Sequence, residues 1–478
     1  MKLNPVALSF VLTIGVTTAQ AAWTQLTPGT VPTPRTGASD SSDITGMLMF
    51  GGNSGAGRLD ELWRFDPFAV GGATWIDMAP TGTLPAGRQS HGAAYDVSRA
   101  VLVVFGGRTA SGNGGINADT WEWDAITNTW TDKTPAVPNY GVNTPAHLEN
   151  TTMVYDFNAN HCLLFGGRGN ATTAAMETNE TWSWDGANWT LLTPLTTSPP
   201  VRRNHAMAHD AASGLTMVWG GIASGAALGD TWLWDGSDWT NVPTATIPFA
   251  NGTHNGSLLN GLAYDSTRER WVLTSGTYPG GTATTDDDTY EFDGNDWINR
   301  GSSGMGNKYD AMHTYVEAAS KTYRFGGYNG GHQNQTWEYQ TSAVATTSSY
   351  GTGCAGQNGT GLTLVADNAP WTGDTWSGTC TTMGPASLAL SVWGLTTASV
   401  PLDVLLPGFG QPGCVLANSA DAILGPVVPA AGSVTISLPL PANAALAGQQ
   451  LHAQVAEIDF TLANLWTSNG VTMTIGVR

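Results

Sequence analysis

Two arginine–histidine pairs share one spacing: Arg88 with His91 in "RQSH", and Arg202 with His205 in "RRNH". Arginine offers a permanently charged planar fork that grips a carboxylate or sulfate through paired hydrogen bonds. Histidine adds a donor that titrates near neutrality. If the pairs converge, they suit an anionic or polyhydroxylated ligand, with uronate, sialate or sulfated sugars ahead of neutral ones. Arg35, Asn150 and His313 stand ahead of comparable apolar runs and complete the candidate set. The same recurrence has a plainer reading, in which the pairs anchor repeated units to one another. No G-x-S-x-G elbow, H-E-x-x-H, phosphate loop or paired C-x-x-C is present, so ligand binding leads over catalysis.

The elements that must position these residues are repeats. "NETWSWDGANWT" at 179–190 is nearly rewritten as "GDTWLWDGSDWT" at 229–240. Trp182 and Trp184 are two apart, as are Trp232 and Trp234, so in a strand each pair shares one sheet face. Such faces are expected to be buried. Asp185-Gly186 and Asp235-Gly236 signal a tight turn, and Trp189 or Trp239 opens the return strand. A second phrase, fullest in "RQSHGAAYDVSRAVLVVFGG" at 88–107, reads as two more strands ending in Gly-Gly. Together they make a four-stranded antiparallel unit recurring every roughly 50–60 residues, the range of blades and solenoid repeats. The Gly-Gly signal occurs at Gly51, Gly106, Gly166, Gly220 and Gly326, with Ser275-Gly276 as a worn copy, which makes six units. The sixth ends at "TWEYQ" without its last-strand tryptophan, while the chain start carries a lone strand, "AAWTQLTP", with Trp23. A closed ring in which that strand completes the last unit would leave no exposed edge.

From Trp23 to Gln340 this grammar resembles the kelch repeat: a double glycine after an apolar strand, then an aromatic residue, then a spaced tryptophan. The units are longer than usual and the fifth is defaced. The resemblance implies an all-β chain with a six-bladed propeller whose first strands line a central channel. Residues entering those strands would meet at one mouth: Arg35, Arg88, His91, His147, Asn150, Arg202, Arg203, His205, His254, Lys308 and His313. The Gly-Gly loops would add Asn53, Arg58, Arg108, Asn113, Arg168, Asn170, Tyr278, Asp286, Asp287, Asp288, Tyr328, Asn329 and His332. Asp286 to Asp288 could hold calcium, although a solvated loop is the plainer reading. Two enzyme alternatives remain. Six-bladed kelch sugar mutarotases need an acid–base pair at the mouth, for which Glu149 or His147 with Arg88 or Arg202 would serve. Copper-radical sugar oxidases share the layout but need ligands that Cys162 and His452 supply poorly, and their ring has one more blade. The leading expectation is a non-catalytic binding protein without cofactor or metal, recognising a glycan or a protein surface.

The start, "MKLNPVALSFVLTIGVTTAQAAW", has Lys2, an apolar run and an A-x-A pattern at Ala19-Gln20-Ala21, which reads as a secretory signal over residues 1–21. A secreted or periplasmic monomer without a membrane span is expected. The net charge of −19, with few charged residues, argues against nucleic acid, whose binding needs phosphates neutralised. The repeats are assigned to residues 22–340, a small-residue linker to 341–348, and a β-sandwich to 349–478. "SLALSVWGL", "SVTISLPL", "LHAQVAEIDF" and "VTMTIGVR" read as its strands. "SSYGTGCAG" and "GFGQPGCVL" resemble a sandwich module found at the C-termini of secreted bacterial proteins. Secretion permits disulfides. Cys354 and Cys414, each in a Gly-Cys context, form the favoured pair, with Cys354–Cys380 close behind and Cys162 packed in a repeat strand.

Overall fold

The computed structural model describes residues 22–111, 115–169, 177–251, 253–254, 256–274, 276–279, 287–340, 346–355, 359–384, 387–405, 411, 414–440, 446, 448–459 and 464–476. The expected signal segment, most of the linker, and Asn113, Asn170, Ser275 and Asp286 lie outside them. Two compact units divide between Gln340 and Thr341.

Among the described residues the first unit holds one two-stranded ribbon and six antiparallel sheets of four main strands, successive in the chain in all but the sixth. In sheet 2 these are Gly92–Asp96, Val101–Phe105, Thr120–Asp124 and Thr129–Asp132. The inner strands of the others are Ser39–Ser42, Thr152–Asp156, Ala206–Asp210, Leu262–Asp265 and Met312–Val316, in sheets 1, 3, 4, 5 and 6. Sheet 6 takes its outer strand from the chain start, where Ala22–Leu26 pairs antiparallel with Thr336–Gln340 and Gln25 faces Trp337. The Asp-Gly turns close four-residue loops. Trp184 pairs with Trp189, and Asp185 caps the N–H groups of Ala187 and Asn188.

Each sheet buries its faces against its neighbours, so apolar clusters lie between sheets. One joins Leu48 and Phe50 of sheet 1 to Val104 and Trp123 of sheet 2, and another joins Phe165 of sheet 3 to Trp234 of sheet 4. The outer-strand tryptophans reach across these joints. Trp75, Trp189, Trp239, Trp297 and Trp23 each donate Nε1–H to a third-strand threonine of the preceding sheet: Thr336, Thr120, Thr181, Thr231 and Thr289, at 2.9–3.0 Å. Thr336 belongs to sheet 6, so Trp75 of sheet 1 takes the last sheet as its predecessor. At the joint of sheets 1 and 2 the threonine is replaced by Leu62, and Trp130 Nε1 has no partner among the described residues. The joint of sheets 5 and 6 is polar. Glu291, fully buried, accepts from Arg268, Arg300 and the Tyr339 hydroxyl at 2.5, 2.6 and 2.9 Å. Burial pushes its carboxyl upward, but the two guanidinium groups outweigh that and hold its pKa below the usual value.

Two or three residues ahead of each inner strand, the backbone turns left-handed. Gly37, Ser90, Asn150, Asn204, Leu259 and Asp310 all have φ between 55° and 59°. Their peptide groups form a closed circuit. Ser90 N–H bonds Gly37 O at 2.7 Å, then Asn150 to Ser90 at 2.7 Å, Asn204 to Asn150 at 3.0 Å, Leu259 to Asn204 at 2.9 Å, Asp310 to Leu259 at 3.1 Å and Gly37 to Asp310 at 3.4 Å. Gly, Asn and Asp tolerate this region, whereas a γ-branched side chain is strained there. Replacing Leu259 with Asn is therefore expected to stabilise the protein by about 0.5–1 kcal/mol, read as a raised denaturation midpoint. A lowered midpoint would show that Leu259 contributes packing that outweighs the strain.

The second unit has a six-stranded and a three-stranded sheet. One apolar core unites them: Leu364, Trp376 and Ile436 from the smaller sheet meet Val392, Ala453, Val455 and Met473 from the larger. Its first strand, Thr346–Tyr350, pairs with Gly470–Thr474 and begins inside the stretch read as linker. Small Thr and Ser residues are as compatible with an edge strand as with a linker, and only the partner strand decides. Cys354 and Cys414 are disulfide-bonded, with Cα atoms 5.4 Å apart, while Cys162 and Cys380 are free and buried. Among the described residues no helix is long and apolar enough to cross a membrane.

Candidate functional site

The inner strands surround a cavity of about 280 Å³. The hydrogen-bonded circuit stands at one end, and Ile44, Phe157, His209 and Glu317 stand at the other. Neighbouring strand edges are bridged by side chains. Asp40 accepts from His313 N–H at 2.7 Å, Ser41 accepts from Tyr95 N–H at 2.8 Å, and Thr152 donates to His205 O at 3.1 Å. Burial pushes the carboxyls of Asp40 and Asp310 up to about 7.

The expected arginines are not in this channel. Arg35, Arg88 and Arg202 are fully buried and spent on architecture. Arg202 Nη1 bonds the Gly220 carbonyl at 2.9 Å and Asp230 at 2.8 Å, and Nη2 bonds Asp230 at 2.7 Å. Arg88 repeats this with Gly106 and Asp119, and Arg35 with Gly51 and Glu61. Each acid is also bound by the indole N–H two residues on: Trp63, Trp121 or Trp232. Lys308 takes the arginine position in sheet 6 and bonds Gln335. Arg35, Arg88 and Arg202, the expected ligand arginines, thus have their guanidinium groups engaged within the fold. Their forks already carry carboxylates supplied by the chain, and a ligand would have to displace a buried ion pair. The acid two residues before each of those tryptophans, as in "DTW" and "ELW", is the clamp's mark in the sequence.

The expected histidines are placed differently. His91, His205 and His313 line the channel with their backbone neighbours, but their rings wedge between sheets, against Phe50, Phe165 and Trp23. Burial, reinforced by Arg88, Arg202 and Arg324 respectively, lowers each pKa to about 3. They are neutral at physiological pH and offer no cation. Asn150 does sit at the channel, held left-handed in the circuit.

Immediately outside the circuit lies a second layer of paired residues: Thr36 with Asn53, Gln89 with Arg108, Glu149 with Arg168, Arg203 with Ile222, Leu258 with Thr277, and Tyr309 with Tyr328. Its two halves differ chemically. Across sheets 2 to 4 runs an alternating belt of Arg108, Glu149, Arg168, Glu177 and Arg203. Arg108 grips both Glu149 oxygens at 2.5 and 2.6 Å, and Arg203 pairs with Glu177. Arg168 is less committed. Its Nη1 is 3.8 Å from Glu149, its Nε has no partner among the described residues, and its side chain is 28% exposed. In sheet 6 the layer is aromatic, with Tyr309 5.6 Å from Tyr328 and Tyr328 5.5 Å from His332; in sheet 5 His254 covers the buried Tyr278 at 4.6 Å. This surface can receive an anionic group on one side and stack a flat or apolar group on the other.

The acid–base pair needed for sugar isomerisation is not assembled. Glu149 is chelated by Arg108, while His147 bonds Ile116 O and packs on Tyr140. Cys162 lies inside the sheet pairing of Tyr155 and Trp184, and burial raises its thiol pKa well above the usual value. His452 bonds Thr472 within the second unit. Asp287 and Asp288 are engaged by Ser302 and Asn299. Among the described residues no three His, Cys, Asp or Glu side chains form a metal-holding group.

A family model described as the KLHDC2/KLHL20/DRC7 Kelch-repeats domain matches residues 12–141, a stretch that includes the first two sheets. The chain is similar to kelch repeats there. No curated protein matches the chain.

Proposed function

We propose that this chain is an exported, non-catalytic binding protein. Its six sheets act as the blades of a kelch propeller, and the mouth outside the hydrogen-bonded circuit recognises an anionic surface of a protein or glycan. The kelch match favours a protein partner, since kelch propellers are interaction modules. The observation that carries the reading is the charged belt in which Arg168 is held only by a long ion pair to Glu149, together with an aromatic arc in the same layer. Export is supported by the Cys354–Cys414 disulfide, a bond that persists in oxidising compartments. The second unit acts as a β-sandwich module with no assigned chemistry.

The test is binding of wild type and Arg168→Ala to arrays of acidic peptides and of uronate-, sialate- or sulfate-bearing glycans. A charge-assisted hydrogen bond contributes about 1.5–3 kcal/mol, so affinity is expected to fall about tenfold to hundredfold with the melting temperature unchanged. Binding that survives Arg168→Ala undiminished, or that prefers neutral ligands, would sink the proposal.

A further inference from the structure

At the channel end remote from the circuit, the sheets meet through a repeated polar joint. Each inner strand finishes in or near an acidic turn residue, and at five joints the neighbouring strand presents an aromatic side chain to that turn. Tyrosine does this at four joints. Tyr95 lies beside Asp43, Tyr155 beside Asp96, Tyr264 beside Asp210, and Tyr315 bonds Thr267 at 2.6 Å beside Asp265. Three of the acids are also neutralised by arginine: Asp43 by Arg64, Asp96 by Arg99 and Asp265 by Arg268, at 2.6, 2.6 and 2.7 Å. Asp210 is answered by the Ser213 hydroxyl at 2.5 Å.

The joint between sheets 3 and 4 is built differently. Ala159 stands where the arginine stands in sheets 2 and 5, and His209 stands where the tyrosines stand. Asp156 accepts the N–H groups of Asn158 and Ala159, both at 2.9 Å. Two imidazoles complete its surroundings. His161 Nε2 is 4.0 Å from Oδ2 and His209 Nε2 is 3.7 Å from Oδ1, both too long for a direct hydrogen bond. Neither Nε2 has a hydrogen-bond partner among the described residues. The His209 and Asp156 side chains are 2% and 3% exposed. His209 is fixed by Thr216 through Nδ1 at 2.9 Å and by the stacked Phe157 ring.

We propose that the joint of sheets 3 and 4 is an acid-labile latch, in which proton uptake by His161 and His209 around Asp156 loosens this joint before the others. The groups facing His161 are Asp156 and Asp185, and those facing His209 are Asp156, Asp210 and His161. Protonation would place charge on two buried Nε2 atoms that no hydrogen bond among the described residues reaches, and the nearby carboxylates do not offset that burial. Burial holds both histidines below the free value of about 6.5 despite the acids nearby. The sign follows from that direction. Both rings are neutral in the folded protein near pH 7. Their contribution is fully present above the unfolded value and is lost as pH falls toward the folded one. At the other joints named, tyrosine rather than histidine faces the acid; burial raises the Glu317 carboxyl at the joint of sheets 5 and 6, so the joint of sheets 1 and 2 is the reference.

Hydrogen exchange of the intact protein at pH 7.5 and pH 5.0, corrected for intrinsic exchange rates, tests the latch. Amides of 152–162 and 206–216 are expected to lose about tenfold more protection on acidification than those of 92–102, the matching joint of sheets 1 and 2. The difference should vanish in His209→Tyr with His161→Val, which install the residue types of sheet 2. Uniform loss around the ring, no loss, or greater protection at pH 5.0 would overturn the proposal, as would a difference that persists in the variant. The comparison between joints within the wild-type protein decides the matter even if the variant does not fold.

Discussion

Arg202→Ala is expected to destabilise the protein by about 3–5 kcal/mol, while Arg168→Ala moves the midpoint by less than about 0.5 kcal/mol. The two residues have the same chemistry and opposite surroundings. Arg202 is fully buried, and its removal leaves Asp230 and the Gly220 carbonyl without their donors. Asp230 keeps only the Trp232 indole among these partners and retains partial solvent contact, which places the loss short of the extreme for a stranded charge. A loss of this size is a large share of a domain's stability. Arg202→Lys should recover little, because an ammonium cannot make two parallel bonds to Asp230 and a third to Gly220. The pair also sets a pH dependence. Burial pushes the Asp230 carboxyl upward, but the bonds from Arg202 outweigh it and its pKa lies below the usual value. The stability it confers is present above the unfolded carboxylate value and is lost as pH falls through the folded one. Urea unfolding of Arg202→Ala, Asp230→Asn and the double variant would measure the coupling. An unchanged midpoint in Arg202→Ala would return this arginine to the list of ligand-binding candidates.

Trp23→Ala is expected to cost about 3–5 kcal/mol and to lower a single cooperative transition of the whole first unit. Trp23 is 7% exposed, packs on Tyr339 and His313, and donates to Thr289 of sheet 5. Its strand covers the edge of Thr336–Gln340, and sheet 6 in turn receives the Trp75 indole of sheet 1 through Thr336. Loosening that strand weakens the joints on both sides of sheet 6. An open stack would lose only its end, because each repeat then depends on its nearest neighbours. The two outcomes separate in calorimetry and in exchange at sheets 2 to 4. Independent early melting of sheet 6, with sheets 2 to 4 undisturbed, would show that the circuit of sheets does not act as one closed unit.

Much of this was legible in the sequence because repeats restate their own constraints. A Gly-Gly following an apolar run requires positive φ, and Gly51 and Gly52 have φ of 70° and 99°. The orphan strand with Trp23 and the unit lacking its last tryptophan pointed to each other, since an unpaired strand and an unpaired edge are complementary. The outer-strand tryptophans recur because each fills one joint. What the repeat pattern obscured was the difference between positions that recur for packing and those that vary for binding. Arg88 and Arg202 drew attention by recurring, and recurrence is what an architectural clamp produces. Arg168 stands at a repeat position shared only with Arg108, and nothing local marks it as uncommitted.

By itself the sequence determined the strands of the repeats, the unit length and the N-terminal strand's partner, because these follow from side-chain period, from turn residues close in the chain and from the unit that lacks its last strand. The tertiary structure alone decided where the charges point. Whether a guanidinium faces solvent or a neighbouring carboxylate depends on which sheet edge lies opposite it. Acid and base meet across 28 residues in Arg202 and Asp230 and across 41 in Arg108 and Glu149. The circuit of left-handed residues likewise joins peptide groups some fifty residues apart and from the two ends of the first unit, as in Gly37 with Asp310. Such contacts are fixed by how the six sheets come to lie beside one another, and no local propensity encodes them.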